Sequence, residues 1–324
     1  MRVRDGRLAR AVGDAALAVA VVGGAFVLSQ AFGTPAPWPM PGRPASPAAA
    51  RAPRASPPPT APAEAVGLQV DFLGAGPERA VLVLAGGHAA VVDCASPIAA
   101  AMVRARLAAA GLARLDLVAA TTPAAAPEAG LTALLERVPV GRVVVPGPTP
   151  APAFAAVLAE ARRLGVPMTL AQPGATWAVG PAALTWVSPP AAGEPDAHQP
   201  PAAAAVQVAL GQVRVLLAGT LDPATEDALV RSAAPLRAQV LEVPAGGRAG
   251  SLSPGFLAAV RPDVAVVGPT AAHPVDPAVL TELVQAGAAV VHRDRFSAVA
   301  VATDGRRVAV TFLPRASEAP PPAA

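Results

Sequence analysis

The segment VAATTPAAAPEAG, residues 118–130, shows the basic unit of this chain, because it leads from an apolar strand through a loop of small residues into an apolar helix. Apolar spacing predicts the strand over residues 115–120 and the helix over residues 131–138. A loop between such a strand and helix has the frame of an active site. This loop, however, contains no His, Asp or Cys.

On both sides of this stretch, short strands alternate with helices along the sequence. Upstream, LQVDFL, AVLVLA and AAVVD predict three strands, with a turn at Gly86-Gly87, and a helix is predicted over residues 98–110. Downstream, the alternation repeats until a final strand pair that turns at Asp304-Gly305. Two β-rich halves that each carry helices predict an α/β fold with two sheets packed face to face and the helices outside.

The distribution of proline divides the chain into segments. The 324 residues include 40 prolines, which crowd before residue 66 and after residue 317. Residues 34–66 are almost all Pro, Ala, Arg and Ser, which predicts a disordered, partly extended spacer, with a Pro-rich ligand for a recognition module as the alternative. Residues 314–324 predict a disordered tail, so the folded domain is expected over residues 67–313.

The first 33 residues predict a membrane anchor. Arg2, Arg4, Arg7 and Arg10 precede an uncharged stretch over residues 15–32, which is long enough for one transmembrane helix. The positive flank predicts a cytoplasmic N-terminus and a domain held outside the cell membrane by a single pass. A cleaved signal peptide is the alternative.

The charge distribution argues against a nucleic-acid partner. Of the 25 basic residues, all Arg, seven lie in residues 1–66 with three acids, which leaves 18 Arg against 19 acids in the rest. A nearly neutral domain lacks the basic surplus that a dedicated phosphate-backbone binder usually shows, so a DNA-binding accessory stays an alternative that the charge does not support. The single cysteine, Cys94, excludes an internal disulfide.

Several strings resemble the metallo-β-lactamase-fold hydrolases, and most closely the C-terminal domain of ComEC-type DNA-uptake proteins. LQVDFL and GAGPERA are similar to the opening strand and turn of that family, and RLDLVAATTPAAAPEAG is similar to its strand and T-H-P-D-A-D-H-I-G-G loop. LLERVPVGRVVVPG, LLAGT, SPGFLAAVRPDVAVV and HRDRFSAVAVATDG also resemble family strings. The resemblance covers residues 68–310 and implies an αββα sandwich.

The resemblance also implies a pair of divalent ions, but the matching ligand positions have changed. Family His and Asp ligands bind two metal ions that activate a bridging water. Here the side chains at these positions offer a poor ligand atom or no ligand atom. The positions are Thr122, Ala124, Ala126, Pro127, Thr220, Ala245 and Gly246. We therefore expect an inactive domain without a cofactor, which has a binding or scaffolding role towards an unknown protein partner and is accessory to DNA uptake or the cell envelope. The alternative is an active, phosphodiesterase-like hydrolase with a rearranged or mononuclear zinc site.

Two other groups of residues are weaker candidates for a binding site, one for a metal ion and one for an anion. Asp93, Cys94 and His273 could together hold one metal ion, since these residue types are metal ligands. Gly246, Gly247 and Arg248 could hold an anion through backbone N–H groups and a cationic side chain. The string HRDR, from residue 292, indicates a solvated strand end or an ion-pair cluster.

Overall fold

The computed structural model describes residues 18–22, 25–29, 67–74, 78–121, 128–146, 154–188, 203–219, 221–269 and 273–313. Runs of Val, Leu and Ala form the strands, which are β1 (Ala18–Val22), β2 (Ala25–Ser29), β3 (Leu68–Leu73), β4 (Ala80–Ala85), β5 (His88–Cys94), β6 (Leu117–Ala119), β7 (Val143–Pro146), β8 (Met168–Ala171), β9 (Thr176–Val179), β10 (Ala182–Val187), β11 (Ala205–Leu210), β12 (Val213–Leu217), β13 (Val240–Glu242), β14 (Val264–Val267), β15 (Ala289–His292), β16 (Ala298–Thr303) and β17 (Val308–Leu313). The α-helices are α1 (Pro97–Ala109), α2 (Glu128–Leu135), α3 (Ala155–Arg163), α4 (Pro223–Arg231), α5 (Pro254–Val260) and α6 (Pro277–Gln285).

The strands form two sheets with the same plan. The first has the spatial order β1-β2-β17-β16-β3-β4-β5-β6-β7-β8, and the second has the order β15-β14-β13-β12-β11-β10-β9. In each sheet a meander of antiparallel strands continues into four parallel strands, β5 to β8 in one and β12 to β15 in the other. Helices make the crossovers between those parallel strands, as parallel pairing requires.

Three apolar layers hold the sheets and helices together. The central layer lies between the sheets and includes Phe72, Leu184 and Trp186. A second layer lies between the first sheet and α1 to α3, and a third lies between the second sheet and α4 to α6. The predicted α/β sandwich of two sheets with outer helices is therefore confirmed.

Four helices begin with the same pair of residues, a capping Ser or Asp followed by Pro. The cap side chain accepts a hydrogen bond from an amide in the first turn, and proline at the first helical position has no N–H that would lack a partner. The four caps are Ser96, Asp222, Ser253 and Asp276. These pairs fix the residue at which each of these four helices begins.

The structure differs from the sequence prediction at the N-terminus. Where a transmembrane helix is predicted over residues 15–32, the short strands β1 and β2 pair antiparallel, and β2 pairs with β17. Valine and phenylalanine favour extended backbone, and Gly23-Gly24 separates the two runs in sequence. Within the described residues, no helix has both the length and the apolar character that crossing a membrane requires. The predicted spacer over residues 34–66 and the tail over residues 314–324 lie outside the described residues.

A buried carboxyl group joins α4 to the start of α5. Glu226, on α4, is fully buried, and its Oε2 accepts a hydrogen bond of 2.6 Å from the Ser253 backbone N. In the described part of the chain, its Oε1 has no hydrogen-bond partner, and neither has the buried Ser251 Oγ, two residues before Ser253. Burial raises the pKa of Glu226 from 4.5 to about 7, against the lowering effect of the hydrogen bond from Ser253.

This raised pKa predicts a pH-dependent stability. The folded state binds the Glu226 proton more tightly than the unfolded chain does, so the stability from this group is complete below the unfolded pKa and is lost as pH rises through about 7. Glu226→Gln keeps the acceptor for Ser253 and removes the titration. We expect its free energy of unfolding in urea to vary less than that of the wild type from about pH 5 to about pH 8. Glu136→Gln, at an exposed position, should keep the wild-type profile, and a Glu226→Gln profile as steep as that of the wild type would contradict this account.

Candidate functional site

The carboxyl ends of the parallel strands in the two sheets lie side by side, and we call this region the carboxyl edge. Two hydrogen bonds join the sheets there: the Ala204 N–H donates to Thr121 O at 2.9 Å, and Arg79 Nη1 donates to Gly219 O at 3.4 Å. Thr121 follows β6, and Gly219 follows β12. Loops at the carboxyl ends of parallel strands are where open α/β sheets bind ligands.

On the first sheet, Asp93 and Thr121 form a closed pair. Asp93 Oδ1 accepts a hydrogen bond of 2.7 Å from the Thr121 N–H, and Oδ2 accepts one of 2.5 Å from Thr121 Oγ1. Asp93 has a φ of 52°, which is unusual for a residue with a side chain. Both oxygens of the acid therefore serve to hold the ends of β5 and β6 together.

On the second sheet, a buried ion pair spans three neighbouring strands. Glu242 ends β13 and is 7% exposed, while Arg293 follows β15 and is 3% exposed. Arg293 Nη1 lies 3.2 Å from Glu242 Oε1. Since β14 lies between β13 and β15, the Arg293 side chain has to cross the end of β14 to reach its partner.

Two glycines provide the space for this ion pair. A Cβ on Gly268, just after β14, would lie 2.2 Å from Arg293 Nε and 2.7 Å from its Cζ. A Cβ on Gly219 would lie 3.0 Å from Glu242 Oε2. The guanidinium group thus packs directly against the backbone at Gly268, at a distance that any larger residue would prevent.

The local charges act on Arg293 in opposite directions. Burial lowers the pKa of the Arg293 guanidinium, and the carboxylate of Glu242 raises it again. Arg79 also lies at this edge through its hydrogen bond to Gly219 O, and its positive charge lowers the pKa of Arg293. An arginine remains charged in proteins even when its pKa falls, so the edge holds a permanent cation paired with Glu242.

The structure does not bring Asp93, Cys94 and His273 together as a metal site. Cys94 is fully buried, and burial raises the pKa of its thiol to about 12, which keeps it protonated. His273 is exposed ahead of α6. Among the described residues, no three His, Cys, Asp or Glu side chains form a group that could hold a metal ion. What is described of the carboxyl edge, with Asp93 bonded to Thr121 and a cation at Arg293, does not fit a metal centre.

Of the seven positions where the resemblance places metal ligands, the structure describes Ala245 and Gly246. Thr122, Ala124, Ala126, Pro127 and Thr220 lie outside the described residues.

The Gly-rich turn after β13 contains the predicted anion site, Gly246, Gly247 and Arg248. The N–H groups of Ala245 and Gly246 donate to Gly219 O at 3.0 Å and to Val243 O at 3.2 Å. Arg248 is exposed. Two of the amides in this turn thus have partners within the protein.

Comparison with known proteins found solved structures of similar fold. No protein-family model matches the sequence, and no curated protein matches it. Solved structures do match: CmlA, a diiron β-hydroxylase from Streptomyces venezuelae, is 17% identical over 70% of this chain and 53% of that chain, with a TM-score of 0.47. A mutant of CmlA gives 17% identity, 76% and 55% coverage, and a TM-score of 0.51. YhfI from Bacillus subtilis, a metallo-β-lactamase-fold protein, is 13% identical over 69% of this chain and 95% of that chain, with a TM-score of 0.46.

The structural neighbours are metallo-β-lactamase-fold proteins. The sandwich of two sheets is consistent with that fold, so this part of the resemblance read from the sequence is supported. At these identities the likeness shows the fold alone. The chain spans about half the length of the CmlA chains that it matches.

The comparisons also correct one expectation. The sequence predicts that the protein uses no cofactor, but the solved structures that it resembles include a diiron enzyme, so the prediction is contradicted. The described residues show no group that could bind a metal, and the indication of a metal is therefore weak.

The role of Gly268 can be tested by adding a single methyl group. Gly268→Ala should displace the Arg293 guanidinium from Glu242 and leave two buried charges without partners, at a cost of about 2–4 kcal/mol in the free energy of unfolding. Urea unfolding of both proteins measures this difference. The control is Gly255→Ala on α5, where the added Cβ meets no atom within 4 Å and should be neutral or slightly stabilising. Equal stability of Gly268→Ala and the wild type would show that the close approach is not required.

Proposed function

We propose that this protein is a non-hydrolytic binding or scaffolding domain of the metallo-β-lactamase fold. The observation that carries the proposal is the Arg293–Glu242 ion pair, which occupies the carboxyl edge where this fold has the loops for its chemistry. A hydrolase of this kind needs an activated water beside a metal, and a permanent guanidinium cation neither activates water as a base nor binds a metal.

The sequence supports the same proposal at positions beyond the ion pair. The resemblance assigns metal ligands to the loop over residues 122–127 and to Thr220, where the side chains are Thr, Ala and Pro. Asp93, the acid at the end of β5, has both carboxylate oxygens bonded to Thr121. The carboxyl edge can therefore offer hydrogen-bond donors and a positive charge to a ligand, which supports a role in binding.

The proposed setting is an accessory role in DNA uptake or in the cell envelope. It is supported by the ComEC-like strings in the sequence and by the N-terminal segment with its four arginines. A single-pass position in the cell membrane, with the domain outside, stays a prediction from the sequence alone.

A hydrolysis assay tests the proposal. The full chain, supplied with zinc, manganese or iron, should not cleave bis-p-nitrophenyl phosphate faster than the same metal solution without protein. Asp93→Ala should give the same background rate. Metal-dependent turnover that disappears in Asp93→Ala would overturn the proposal and favour an active hydrolase with a rearranged metal site.

A further inference from the structure

The buried guanidinium of Arg293 has more donors than the described protein uses. Arginine carries five N–H groups, and among the described residues Arg293 donates one hydrogen bond, from Nη1 to Glu242. Its Nε is buried and has no hydrogen-bond partner among the residues that the structure describes. Buried polar groups almost always have partners, so this donor on a buried cation is available to a group that the described residues do not supply.

A second guanidinium lies at the same edge, because Arg79 bonds to the Gly219 carbonyl and a Cβ on Gly219 would lie 3.0 Å from Glu242 Oε2. Arg79, in the segment before β4, is half-buried, and its described hydrogen bond to Gly219 O is long, at 3.4 Å. Its charge lowers the pKa of Arg293, as expected for neighbouring cations. Glu242 is the acid bonded to Arg293, and Asp294 adds a weaker attraction. Among the described contacts Glu242 accepts a hydrogen bond from Arg293 and not from Arg79, so the charge of Arg79 favours a second anion at this edge.

We propose that Arg79 and Arg293 bind a small oxyanion, the carboxylate or phosphate group of a ligand, at the carboxyl edge. The planar donors of a guanidinium match two oxygens of such a group, and the enclosed position strengthens the attraction. Half-buried Arg79 is reachable from solvent, while Arg293 holds the inner side of the site. This proposal rests on the binding role proposed above and names the chemical class of the ligand.

The Gly-rich turn after β13 is the competing position for an anion. It offers backbone N–H groups and Arg248, but the amides of Ala245 and Gly246 already donate to carbonyl oxygens. Arg248 is exposed, so an anion there would remain solvated. Arg248 therefore provides a matched control, because it is also an arginine beside the second sheet.

Thermal unfolding of the full chain with added anions tests the proposal. The probes are inorganic phosphate, dimethyl phosphate and acetate, each compared with sodium chloride at the same ionic strength. At about ten times its Kd, a bound anion should raise the Tm by about 3–5 °C. Phosphate or dimethyl phosphate as the effective probe would identify a phosphate ligand, and acetate alone would identify a carboxylate ligand.

Substitutions of single arginines show whether the rise in Tm comes from an anion bound at Arg79 and Arg293. Arg79→Gln should fold, because its side chain is half-buried, and should lose the rise in Tm, whereas Arg248→Gln should keep it. Arg293→Gln should also lose the rise, and if that variant does not fold, Arg79→Gln still decides the result. No rise with any probe, or a rise that survives in Arg79→Gln, would overturn the oxyanion site. The proposed function fails separately, if metal-dependent hydrolysis is found.

Discussion

A guanidinium group inside a protein has to meet an acceptor, and Arg293 does so by crossing the end of β14 over Gly268 to reach Glu242. Desolvating two charges costs several kcal/mol per ion, which the attraction between them offsets only in a good geometry. That geometry needs three parallel strands in register, a carboxylate at the end of β13 and a glycine at the end of β14. A shift of any of these three strand ends would therefore leave a buried charge without its partner.

The two sheets position the strand ends that surround the ion pair. The repeated plan of the two sheets puts the carboxyl ends of β5 and β6 next to those of β12 and β13, and two hydrogen bonds connect them. In the first sheet the acid at this edge is closed by Thr121, and in the second the edge carries a cation. The two halves of the carboxyl edge thus differ in charge, with a bonded acid on the first sheet and a buried cation on the second.

Much of the fold follows from local signals in the sequence. Turns at Gly86-Gly87 and at Gly305 have the positive φ that glycine permits, and Gly111 ends α1 as expected. Alternating strands and helices predicted the layers. The strands β1 and β2 were missed, because an uncharged run of Ala and Val satisfies the pattern of a membrane helix as well as that of two strands.

The candidate site was harder to predict, because its parts are distant in sequence. Glu242 and Arg293 are 51 residues apart. The charged string HRDR indicated a solvated strand end or an ion-pair cluster, and the structure shows an ion pair at Arg293 whose partner no local pattern names. Burial of Arg293 depends on the crossing over Gly268, which no local pattern reveals. An acid at the end of an otherwise apolar strand was the available signal, since such an acid needs a cationic partner.

The coupling energy between Arg293 and Glu242 shows whether the two side chains stabilise the fold as a buried ion pair. In a double-mutant cycle with Arg293→Met and Glu242→Gln, urea unfolding gives the stability of each variant. Each single change should cost about 3–5 kcal/mol by leaving the partner charge buried alone, and the double variant should cost less than the sum, by about 1.5–3 kcal/mol. Losses that add to within about 0.5 kcal/mol would contradict the account, because they would show that the two side chains do not act as a pair.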